Sequence, residues 1–216
     1  MSANISTSSA KPVPLVALTV IWAIGLLVSG WHPYDRTTWV LEIFPAVIAL
    51  VVMWKSRETV PLTTLLYVLV LIHGVILMVG GAYTYARVPL GFWMQDWFGF
   101  TRNNYDKIGH FAQGFVPAIV AREVLFRVFG LKSKKLVAFL CVSICMAVSA
   151  MYELIEWWSA LLLGQGADEF LGTQGDPWDT QSDMFFALIG SIAALLLLSG
   201  WHDRQLAAKT SCATSA

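Results

Sequence analysis

Six apolar runs, each long enough to cross a bilayer, most limit what this chain can become. They lie at about 13–30, 38–54, 61–80, 105–129, 136–163 and 181–200. Roughly 20 apolar residues suffice for a helix to span the hydrocarbon layer. The composition agrees: 57% of the residues are hydrophobic, the mean hydropathy is +0.65, and many of the ten tryptophans stand near segment ends. The fold class that follows is all-α, a polytopic transmembrane bundle of about six spans rather than a soluble domain.

Charge narrows the function classes. With 14 basic and 14 acidic residues the formal net charge is zero, and no basic patch is available for nucleic acid, so membrane lipids are the expected partners. Three cysteines make no disulfide framework. Cys141 and Cys145, at i and i+4 in an apolar segment, read as small packing residues, and Cys212 falls in a polar tail. Metal binding by that pair lacks a His or a third Cys to accompany it.

Residues 1–12 read as a disordered lead and 201–216 as a polar tail. The lead has little positive charge and no clear cleavage site follows it, so the first apolar run is expected to be an uncleaved span. Lys11, Lys55, Arg57, Arg127, Lys132, Lys134, Lys135, Arg204 and Lys209 fall in connections on one side, against Arg36, Arg87 and Arg102 on the other. The excess of Lys and Arg predicts that both termini are cytoplasmic. No internal repeat is visible, so an inverted-repeat transporter has no direct support.

Given that orientation, polar residues collect at the outer ends. YDKIGHFAQG (105–114) opens the fourth span, and as a helix it places Asp106, His110 and Gln113 on one face. MYELIEWW (151–158) brings Glu153 and Glu156 to the outer half of the fifth span, and WDTQSDM (178–184) opens the sixth with Asp179 and Asp183. Glu42 and His73 lie at comparable depth. The inner halves hold little beyond Arg122 and Glu123, which are expected to snorkel to the interface. The asymmetry predicts a polar cup facing outward, since ionisable groups inside a membrane segment avoid lipid and serve function. Between the third and fourth spans, the aromatic-rich stretch 81–104 suggests an interfacial helix or loop, and the Gly- and acid-rich loop 164–180 is long for a mere connector.

Several motifs in order, GGAYTYARVP (80–89), RNNYDKIGHFAQGFVPA (102–118), SAMYELIEWW (149–158) and FLGTQGDPWDTQSDM (170–184), resemble the YjdF-type family of bacterial inner-membrane proteins. The resemblance implies a multi-span inner-membrane protein and carries no activity with it. A fainter pattern is similar to VanZ-like membrane proteins. Asp106, Lys107 and His110 match its first part, Glu153 or Glu156 its second, and Asp183 and Gly190 its third, with Ala187 where an Asn is expected.

The chemistry these residues suggest is a divalent-metal or acid–base centre. Asp106, Lys107, His110, Glu153, Glu156 and Asp183 are its catalytic candidates, and His110, Glu153 and Asp183 the metal-ligand candidates. Gln113, Asp179, Trp157 and Tyr105 are the candidates for substrate contact. An outward site of this kind suits a lipid or lipid-linked envelope precursor, with Lys107 neutralising a phosphate. The plainer reading is that Asp106 and Asp179 cap their helices while Lys107 and His110 pair with Glu153 and Glu156 to fasten helices together. A proton-coupled transporter and a non-catalytic lipid- or protein-binding module are the other classes open. His73 reads as a hydrogen-bonded packing histidine, His32 and His202 as interface residues, and Trp157 and Trp158 also as belt aromatics.

Overall fold

The computed structural model describes residues 15–163 and 173–213, and among them every regular element is a helix. The order is α1 (Leu15–Trp31), α2 (Arg36–Ser56), α3 (Thr64–Ala82), α4 (Pro89–Phe98), α5 (Tyr105–Arg127), α6 (Lys134–Leu163) and α7 (Asp179–Ala213). Four of them, α2, α3, α6 and α7, are long and apolar enough to cross a membrane, and α1 is a shorter apolar helix. The expected lead, residues 1–12, and the acids Asp168 and Glu169 lie outside the described residues.

Local chemistry sets the helix ends. Asp35 Oδ1 accepts from Thr38 N at 2.6 Å, which satisfies one of the unpaired amides that open α2. Helix α4 fills the aromatic-rich stretch; Pro89 sits in its first turn and Gly99, at φ 66°, closes it in the left-handed conformation. Trp93, Trp97 and Phe98 project outward from it, as an interfacial element requires. Large apolar side chains such as Ile24, Leu27, Val52, Leu196 and Leu197 likewise face outward around the bundle, so the exterior is a surface for lipid.

Helix α5 is central, packing on α3, α6 and most extensively α7, while α1 and α2 complete the bundle through α3. Apolar cores result, a small one around Leu125, Val137 and Cys141 between α5 and α6 and two larger ones. One gathers Leu18, Trp22, Ala46, Met53 and Val70 between α1, α2 and α3; the other joins Leu66, Ile119, Cys145 and Ala194 across α3, α5, α6 and α7. Cys141 and Cys145 are fully buried, and the Cys145 thiol donates to Gly114 O at 3.4 Å.

The far end of α5 departs from expectation. Arg122 and Glu123 do not reach out to an interface; both are buried, and so is His202. Glu123 accepts from Thr63 N at 3.1 Å, from Thr63 Oγ1 at 2.8 Å and from Arg127 Nη1 at 2.5 Å, and lies 3.0 Å from His202 Nε2. Arg122 reaches His202 Nδ1 at 2.8 Å and Asp203 at 2.5 Å. Gln205 Oε1 accepts from Leu65 N at 3.0 Å. The opening amides of α3 are therefore capped by side chains of α5 and α7 rather than its own, which suits the positive end of the helix dipole. These bonds also explain why the expected polar tail is helix: 201–213 continue α7, anchored through His202, Asp203 and Gln205. Pro61, expected to start the third helix, precedes it, and its carbonyl accepts from Arg127 at 2.8 Å.

Candidate functional site

The site begins with two glycines. A Cβ on Gly114 of α5 would lie 1.8 Å from Ala187 O of α7, and one on Gly190 would lie 2.1 Å from Phe111 O. Only hydrogen at both positions allows this backbone approach, as small residues do elsewhere in membrane bundles. The closeness lays the first turns of α5 and α7 side by side, so Asp106, Lys107 and His110 meet Asp179 and Asp183.

Lys107 Nζ lies 2.8 Å from Asp179 Oδ1, 2.8 Å from Asp183 Oδ1 and 3.4 Å from Asp106 Oδ2. Arg102, in the turn before α5, donates to Thr173 O at 2.7 Å and to Asp179 at 2.7 Å, reaches Asp176 at 3.4 Å, and pairs with Asp106. Burial works to lower the Arg102 pKa, but the carboxylates of Asp106, Asp179 and Asp176 more than offset it, so the guanidinium is held above its ordinary value. The turn is pinned by Gln174, whose Oε1 accepts from Asn103 N at 3.1 Å and whose Nε2 donates to Asn103 O at 2.7 Å. Two cations thus hold three buried carboxylates, Asp106, Asp179 and Asp183, with the half-exposed Asp176 at the edge, in a knot with acids in excess.

One turn deeper, His110 Nδ1 stands 3.0 Å from Gln113 Oε1, and Nε2 stands 3.6 Å from Asp183 Oδ1. Helix α6 supplies Tyr152, Glu153 and Glu156. Glu153 hydrogen-bonds Thr180, yet its Oε1 is buried without a partner, 4.0 Å from His110 Nδ1. Opposite, Glu42 of α2 accepts from Tyr152 OH at 3.1 Å and is also hydrogen-bonded to Tyr85. The Tyr85 ring is slotted between α3 and α5, where a Cβ on Gly80 or Gly109 would meet it at 2.2 or 2.8 Å. Aiming that ring takes strained backbone: Thr84 and Tyr85 hold φ 51° and 50°.

These walls enclose a cavity of about 300 Å³. Its lining at the cup end is polar, with Glu42, Tyr85, His110, Tyr152, Glu156 and Asp183. Toward the middle of the bundle it is apolar, with Trp22, Ala49, Val70, Val116, Val120 and Val148.

Of the residues singled out in the sequence, Asp106, Lys107, His110, Gln113, Glu153, Glu156, Asp179 and Asp183 converge here. Trp157 does not; it is 56% exposed on the outer face of α6. Tyr105 is buried, but its hydroxyl donates to Ile76 O at 3.3 Å and its ring packs on Tyr85 rather than facing the cavity. His73 lines the cavity, and its Nε2 is buried without a hydrogen-bond partner, contrary to the packing role expected of it. Two groups of donors converge to within 4.8 Å: His110 with Glu153 and Glu156, and Asp106 with Asp179 and Asp183. Asp183, expected beside His110 and Glu153, stands 3.6 Å from His110 Nε2 and also belongs to the aspartate group that Lys107 occupies. Arg102, Tyr85 and Tyr152 were not anticipated as site residues. Arg102 carried a signal, being four residues before Asp106 at the mouth of α5; Tyr85 carried none, because its position depends on glycines of two other helices.

Such a bundle, with a lipid-facing exterior and an ionisable pocket inside one end, defines an integral membrane protein of the helical class. The chain belongs to the family described as predicted membrane protein DUF2238, whose model matches residues 14–204. It is 51% identical over 200 residues to the inner membrane protein YjdF of Escherichia coli (strain K12), covering 93% of this chain and 96% of that protein. The resemblance read from the motifs is therefore real, and the protein is an inner-membrane protein. No solved structure matches the chain.

Proposed function

We propose that α1, α2, α3, α5, α6 and α7 all cross the membrane, with both termini cytoplasmic, and that the cup opens to the outer face. The distribution of Lys and Arg supports the orientation. Helix α5 qualifies as a span despite its charges because those near its ends are satisfied by α7, α3 and the turn at Arg102, away from lipid.

In this reading the cup binds a lipid or lipid-linked envelope precursor and acts on it. The observation that carries the reading is the polarity gradient along one cavity, polar at the cup end and apolar toward the bilayer centre. An amphiphile fits that gradient with its head among His110, Glu156 and Asp183 and its chain against Val116 and Val120. The Gln113 carbonyl accepts from Nδ1–H of His110, a tautomer assigned from this contact, which leaves Nε2 free to take a proton. Glu153 and Asp183 flank that imidazole and complete an acid–base set.

The test is native mass spectrometry of protein purified in mild detergent, with Ala49→Phe to fill the apolar part of the cavity. The parent should carry one lipid that Ala49→Phe lacks. On incubation with a total inner-membrane lipid extract, the parent should convert a species that His110→Ala leaves intact. A lipid-free parent, or equal occupancy in Ala49→Phe, overturns the binding site; equal turnover by His110→Ala overturns the assigned chemistry.

A further inference from the structure

The two converging donor groups are not equivalent. In the first, Asp106, Asp179 and Asp183 surround the Lys107 ammonium at 3.4, 2.8 and 2.8 Å, with Arg102 on the other side. A lysine already stands where a metal ion would, and it cannot leave without stranding its own charge in a buried setting. That group is complete.

The second group is not. His110, Glu153 and Glu156 offer one nitrogen and two carboxylates within 4.8 Å of one another, and among the described residues no Lys or Arg bridges them. His110 Nδ1 and Glu153 Oε1 stand 4.0 Å apart, too far for a hydrogen bond, and with Nδ1–H turned to Gln113 the ring offers its Nε2 as the ligand atom. Glu153 is 8% exposed, yet its Oε1 finds no donor. A buried carboxylate oxygen without a partner costs free energy unless something charged completes it. Glu156 and His110 line the cavity, so an ion between these donors has its open positions toward the cavity.

We infer that His110, Glu153 and Glu156 form a divalent-cation site, adjoining the lysine-filled aspartate group at Asp183. One imidazole with two carboxylates suits Zn²⁺ or Mn²⁺, and Gln113 at 3.0 Å from the ring orients the histidine from behind. The ion supplies the positive charge that this end of the cavity lacks. Resting on the amphiphile reading above, it also names the class of head group: a phosphate or diphosphate, which the surrounding acids would repel and a bound divalent cation would draw in.

The experiment is elemental analysis of the detergent-purified full chain after equilibration with Zn²⁺ and, separately, Mn²⁺, followed by dialysis. It is run on the parent, His110→Ala, Glu153→Gln and Asp179→Asn, all checked for monodispersity. The parent should hold about one ion per chain, and Zn²⁺ should raise its unfolding temperature. His110→Ala and Glu153→Gln should bind at least about tenfold more weakly and lose that thermal response, whereas Asp179→Asn should keep both. A parent without metal overturns the inference, as does full retention in Glu153→Gln or loss in a folded Asp179→Asn alone. Lipid content measured on the same samples separates the two readings. Lipid without metal overturns this site only; metal without lipid upholds it and removes the amphiphile.

Discussion

Replacing Gly190 with Ala tests whether the α5–α7 seam builds the cup. The added Cβ would lie 2.1 Å from Phe111 O and 3.0 Å from Phe115 N, both backbone atoms that no rotamer change can move. Comfortable non-bonded contact is roughly 3.5 Å, so the helices must part by about 1.4 Å. The Lys107–Asp183 contact spans the same seam at 2.8 Å, and an opening of that size takes it beyond hydrogen-bond range. Overpacking costs about 1–3 kcal/mol and a lost charge-assisted hydrogen bond about 1.5–3 kcal/mol. Removing a helical glycine returns about 0.5–1 kcal/mol. The balance is near 3 kcal/mol of destabilisation, or roughly 6–12 °C in Tm on the scale of domains of this length. Gly200 on the same helix, with nothing within 4 Å of its added Cβ, is the control, and Gly200→Ala should leave Tm unchanged or slightly raised. The assay is thermal unfolding in detergent followed by tryptophan fluorescence. A Gly190→Ala protein melting at or above the parent, or melting no lower than Gly200→Ala, would refute the argument that backbone contact at this seam holds the site together.

Lys107→Ala leaves Asp183 without its cation, and Asp106 and Asp179 to Arg102 alone, and should cost about 3–5 kcal/mol in the same unfolding assay; adding Asp183→Asn should recover part of the loss because less buried charge is left unmatched. Tyr85→Phe keeps the ring between Gly80 and Gly109 and should cost about 1 kcal/mol for the hydroxyl contact with Glu42, whereas Tyr85→Ala empties the slot and should cost about 3–5 kcal/mol. Glu123→Ala removes the acceptor shared by Thr63, Arg127 and His202 and should lower stability by at least about 3 kcal/mol, yet lipid retention per folded molecule should match the parent, since this clasp lies at the opposite end of α5 from the cup. A parallel loss of bound lipid in a folded Glu123→Ala protein would contradict that separation.

Much of the architecture was readable in the chain because helix periodicity and apolar length are local properties. The stripe of Asp106, His110 and Gln113 follows from spacing alone, and the apolar runs announced helices whose outward faces meet lipid. Which acid meets which base was not local. Asp179 looked like a helix cap and is instead shared by Arg102 and Lys107; Glu123 and His202 looked like interface residues and are fully enclosed. Both outcomes rest on helix crossings set by residues distant in sequence, Gly114 against Ala187 and Gly190 against Phe111, whose importance is steric and leaves no periodic trace. Tyr85 is the extreme case, a loop residue in strained backbone held by glycines of α3 and α5. Sequence by itself determined that this chain must be a helical membrane protein carrying ionisable groups within its apolar segments. Only the packed bundle decided that a lysine completes one set of those groups while His110, Glu153 and Glu156 are left facing one another, because a carboxylate's partner is whatever the crossing helices bring within about 3 Å of it.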